Sequence, residues 1–136
     1  MVDKPKLLVL SSLIFITNAL VAFFKKYYLY AVFFLILTIT SVIVHNNNNM
    51  YTNLIDKLAI LLVVIYGGYL LFQKMCMKHA TTCFLIILSF LLVIYLYAYG
   101  YMHRVYCFSE DKSVSDAYHY ILHLISSFGH HLIIIL

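Results

Sequence analysis

The chain has 136 residues, of which 65% are hydrophobic and only 10% charged, with a formal charge of +4. A soluble domain has roughly a quarter charged residues, and at this length could not hide so much apolar surface; long apolar blocks of this kind take lipid as their solvent. The lysines stand between the blocks, and no basic run with interleaved aromatics exists, so the composition excludes a nucleic-acid partner, while three cysteines without a CxxC pair exclude a closed disulfide framework.

Five apolar spans follow in chain order, each close to the roughly 20 residues that cross a bilayer as a helix. Helix is required because lipid offers backbone polar groups no partner. The first covers about residues 7–24 and ends at Lys25-Lys26. Lys4 and Lys6 before it resemble the basic region of a signal peptide, but the apolar stretch is too long and no small-x-small site precedes Lys25, so it reads as a spanning helix. The second covers 27–45 and ends in the run Asn46–Asn49, read as a low-complexity loop. The third covers 54–73, with Asp56 in its first turn and Gly67-Gly68 offering either close helix contact or a kink. The fourth covers 81–101. A polar stretch, 102–116, then reads as a surface loop whose Ser115-Asp116 caps the fifth span, 117–136. The expected architecture is a single all-α domain over 1–136, a polytopic transmembrane bundle of about five helices. The bilayer is its first partner.

Counting crossings brings four polar residues to one side. The second span ends there at His45, the third begins there with Asp56, and the fifth begins there with His119 and His123. His119 and His123 are spaced i, i+4, so their rings share one helix face a turn apart. His45 adds a third imidazole, and three protein ligands with an open fourth position is the pattern of catalytic zinc. Asp56 would orient a water or take its proton, and Ser41, one turn before His45, would donate to a developing oxyanion. The bland readings are histidines snorkelling at helix ends and an aspartate favoured by the helix dipole. Ser115/His119, Ser126/His130 and Ser127/His131 repeat the SxxxH spacing without evident purpose.

At these residues the chain resembles the CREST superfamily, the membrane hydrolases that include alkaline ceramidases, adiponectin/progestin receptors and GPI-anchor lipid remodellers. The family pattern is SxxxH closing one helix, an Asp opening the next and HxxxH in the last. Here it reads Ser41…His45, then Asp56 in "NLIDKLAI", then His119…His123 in "HYILHLISSFG", with Gly129 suitably placed. Asn18 resembles a polar residue of the family's first helix. The resemblance covers mainly the second, third and fifth spans. It implies Zn2+ held by His45, His119 and His123, with Asp56 and Ser41 in the catalytic roles above. It also implies a lipid amide or ester substrate entering from the bilayer, and an internal membrane of the endoplasmic reticulum or Golgi.

The family usually has seven helices and an acidic residue before the last, where this chain has five spans and His103. Losing two adjacent helices keeps the four residues on one side, and a homo- or hetero-oligomer would then supply the missing walls. His130, seven residues beyond His123, is read as packing against a polar neighbour. Three functions remain open: a zinc-dependent intramembrane hydrolase; a non-catalytic, receptor- or fusogen-like protein with a structural zinc; and an unrelated small multi-pass protein.

Overall fold

The computed structural model describes the backbone from Lys4 and side chains from Leu7, so the side chains of Lys4 and Lys6 lie outside the described residues. Among the described residues the chain is helical, with no strand. The helices are α1 (Lys4–Ser12), α2 (Ile14–Phe24), α3 (Tyr28–Asn46), α4 (Met50–Lys74), α5 (Ala80–Ile94), α6 (Gly100–His103) and α7 (Lys112–Ile135). A π-helical segment, Tyr95–Tyr99, joins α5 to α6, and 3-10 turns at Met77–His79 and Tyr106–Phe108 sit in the connections.

Leu7–Phe24, Tyr28–Asn46, Met50–Lys74 and Met77–His103 are each long and apolar enough to cross a membrane. The 24 residues of α7 are also long enough, but its four histidines make it less apolar than the others. The outside of the molecule is the apolar side. Leu58, Leu61, Ile65 and Phe72 of α4 and Phe84, Leu91 and Ile94 of α5 are exposed. In α7 the pattern of a soluble helix is reversed: Phe128 and Ile135 are exposed while His123, Ser127 and His130 are buried. That arrangement suits a lipid solvent and marks the chain as a membrane protein.

The α-helical bonding of the first span is interrupted at Leu13, where the Ile16 amide bonds to the Leu13 carbonyl and the Leu13 amide to Leu10, both in the tighter i→i+3 pattern. This span runs between α3 and α7. Next, α3 lies between α2 and α4, α5 packs along α7, and α4 meets α7 at a few positions. Ala19, Ala22, Ala31 and Ala59 are buried where these helices cross, the small residues that let membrane helices approach closely. Phe15, Tyr30, Phe34, Val63, Ile86 and Ile133 fill the space between them.

The helix ends follow from local chemistry. Lys26 takes a left-handed φ of 66° after α2, the Tyr27 amide bonds to Ala22 O and the Lys26 amide to Phe23 O. This is the Schellman pattern, made here by a lysine instead of the usual glycine. The asparagine run is not simply a loop. Asn46 is the last residue of α3, and Asn49 forms a capping box with Thr52, each side chain bonding the other's backbone amide at 3.0 Å. Consequently α4 begins at Met50, four residues earlier than the apolar pattern indicates, and Asp56 falls in its second turn. Likewise α7 begins at Lys112. Its cap is Asp111, which accepts from the Ser113 amide at 2.7 Å, and not Ser115 or Asp116, which lie inside the helix. At the opposite end of α7, Lys74 Nζ donates to Ile133 O at 2.8 Å and Ile134 O at 3.2 Å, placing a cation against the helix's negative terminus.

Candidate metal centre

The three histidines selected by spacing meet. His45 comes from the last turn of α3, His119 and His123 from successive turns of α7, and one ring nitrogen from each lies within 4.8 Å of the others. Ring centroids are 4.9 Å apart for His45–His119 and His119–His123, and 5.4 Å for His45–His123. His123 is buried, while His45 and His119 are half-buried. A zinc ion bound at 2.0–2.1 Å holds tetrahedral nitrogens about 3.3 Å apart, inside the 4.8 Å that bounds these nitrogens. The donor set also fits: three neutral imidazoles in an apolar bundle suit zinc better than magnesium or calcium, which take oxygen ligands.

The surrounding hydroxyls come from α1 and α3. Ser11 Oγ lies 2.8 Å from His123 Nδ1 and also donates to Leu8 O at 2.9 Å. Phe15 packs its edge on the His123 ring, with centroids 5.3 Å apart. Ser41 is buried one turn before His45, and its hydroxyl pairs with Ser12 Oγ at 3.0 Å. Asp56 is half-buried. Its Oδ1 accepts from Thr40 Oγ1 at 2.9 Å, and its carboxylate is not part of the three-histidine cluster. Asp116 lies three residues before His119, on the same face of α7.

Ser11, Ser12, Phe15 and Thr40 were not apparent as site residues from the HxxxH and SxxxH motifs. A signal for Ser11 and Phe15 does exist in the sequence. Ser11, Phe15, Asn18 and Ala22 recur at helical spacing, and all four are buried on one face of the first span.

Below the cluster, α7 carries a second set of polar contacts. Asn18 Nδ2 donates to Ser127 O at 2.9 Å and lies 2.7 Å from His131 Nδ1, while Ser127 Oγ donates to Asn18 Oδ1 at 2.6 Å. These bonds tie α2 to α7. His130 is fully enclosed by Tyr30, Phe34 and Phe90, and its Nδ1 hydrogen-bonds Tyr30 Oη, so it packs against a polar neighbour as its position suggests. Gly67 makes room for that pair. Gly68 faces open space, so of the two readings of the doublet, close contact applies to Gly67. Gly129 lies against Ser89, where a Cβ would overlap the serine hydroxyl, and so brings α5 close to α7.

Cys76, Cys83 and Cys107 are all free thiols. Burial pushes the Cys107 thiol up to about 11, so the one cysteine in the connection before α7 is poorly suited to act as a thiolate nucleophile.

No protein-family model, curated protein or solved structure matches the chain.

Proposed function

We propose that this chain is a zinc-dependent intramembrane hydrolase of lipid amides or esters, a relative of the CREST superfamily. The observation that carries the reading is the convergence of His45, His119 and His123 at one end of an otherwise apolar bundle. Ionisable side chains are costly in lipid, and three meeting at one point from two helices call for a function.

His45, His119 and His123 would hold the ion and leave a fourth position open. Zinc bound there supplies Lewis acidity, polarising a carbonyl and activating a water at neutral pH. The half-buried edge formed by His45 and His119 leaves the cluster approachable, whereas His123 closes it from below. Asp56, held by Thr40, would take the proton that the attacking water releases and pass it to the leaving amine or alcohol. Ser41 would turn its hydroxyl from Ser12 to the carbonyl oxygen as charge develops there. The substrate would come from the bilayer, and the protein would sit in an internal membrane of the endoplasmic reticulum or Golgi, as the resemblance implies.

One observation favours a second reading, a structural zinc in a non-catalytic, receptor- or fusogen-like protein: Asp56 is engaged by Thr40 and stands apart from the cluster. Lipid turnover separates the two. The purified, zinc-loaded protein is expected to hydrolyse ceramide or phospholipid in vesicles. Asp56→Asn should reduce the rate 100-fold or more, on the order of what a general acid–base group contributes, while bound zinc is unchanged. Absence of turnover by the loaded protein on both lipid classes would leave the structural reading in place.

A further inference from the structure

Ser11 is 4% exposed and lies in the first span, more than 100 positions from the histidine it touches. Its single proton has an acceptor within its own helix, Leu8 O at 2.9 Å. When that proton goes to Leu8 O, the imidazole is the donor in the 2.8 Å contact: His123 then carries its hydrogen on Nδ1 and gives it to Ser11 Oγ. The Nε2 lone pair is then free for the cluster formed with His45 and His119. A ligating histidine commonly has its other nitrogen fixed in this way, by a carboxylate, carbonyl or water; here the acceptor is a hydroxyl.

We propose that Ser11 is a positioning residue that fixes the Nδ1-protonated tautomer and the ring orientation of His123 for metal binding; the metal half of this inference rests on the zinc reading above. The interruption at Leu13 belongs to the device. Ser11 and Ser12 both bond back to Leu8 O, at 2.9 Å each, immediately before the helix tightens. Such back-bonding bends membrane helices. It leaves the two serine oxygens facing different partners, Ser11 on His123 of α7 and Ser12 on Ser41 of α3. Phe15, one turn on, packs against the His123 ring, with centroids 5.3 Å apart.

The test uses full-length protein labelled with 15N-histidine in lipid bilayers, with the His123 signals assigned by their loss in His123→Gln. In metal-free protein His123 should show a protonated Nδ1 and an unprotonated Nε2. Ser11→Ala should mix the tautomers and raise the zinc dissociation constant by roughly 10- to 100-fold, the usual loss for an outer hydrogen-bond partner. Ser11→Thr, which keeps the hydroxyl, should restore both. A Ser11→Ala protein with the parent's His123 spectrum would overturn the proposal, as would a His123 that carries its proton on Nε2 in the parent. If the parent takes up no zinc, the zinc reading fails, whereas the metal-free spectra still decide the role of Ser11.

Discussion

A Cβ placed on Gly67 would stand 2.5 Å from Tyr30 Oη and 3.1 Å from the His130 ring. Both partners are enclosed, so neither can swing aside into solvent. Gly67→Ala is therefore expected to destabilise the protein by about 1–3 kcal/mol, the usual range for overpacking a filled core. At Gly68 nothing lies within 4 Å. There the same substitution should stabilise α4 by about 0.5–1 kcal/mol through the lost backbone freedom of glycine. Thermal unfolding in one detergent compares the two, and equal effects would contradict the assigned contacts. At this scale the sequence exposes residues that combine unusual chemistry with regular spacing, as His119 and His123 do. Serines are common enough in membrane helices that Ser11 and Ser12 give little signal until their partners are known. The position of Asp56 was legible only as far as its side of the bundle. Its bond to Thr40 depends on how α4 is rotated against α3, which hydrophobic patterning does not determine.

The ends of α4 and α7 show how capping overrides apolar patterning at the level of the element. Hydropathy starts each helix at its first apolar run. Asn49 and Asp111, by satisfying orphan amides, start them a turn or more earlier, through residues polar enough to resemble loop. The sequence located the long helices, four of them apolar enough to cross a membrane, because lipid length and helix rise constrain them tightly. It misplaced these two starts because caps act through single side chains. Asp111→Ala removes the oxygen that accepts from the Ser113 amide and should cost about 0.5–2 kcal/mol. Hydrogen exchange would read the effect as faster exchange confined to the first turn of α7. Unchanged protection of Ser113 and Val114 would show that Asp111 is not the working cap.

Across the whole molecule, polar groups are gathered inside and apolar groups face out, with α7 as the polar spine of the bundle. Three sets of contacts hold that spine: Ser11 and Phe15 at His123, Asn18 at Ser127 and His131, and Tyr30 at His130. The meeting of His45 with α7 follows from the number of crossings and from this inward-facing polar stripe, which is why parity on the sequence could anticipate it. Parity places residues only at one end, however, and leaves their distances to the packing of α3 on the first span and α7. The central claim is that the resulting cluster holds a metal. Metal analysis of the protein purified in detergent tests it most directly. The account predicts about one zinc per chain, retained through dialysis and lost in the His119→Ala/His123→Ala protein. A folded parent with no bound zinc, and none taken up on titration with the ion, would contradict it.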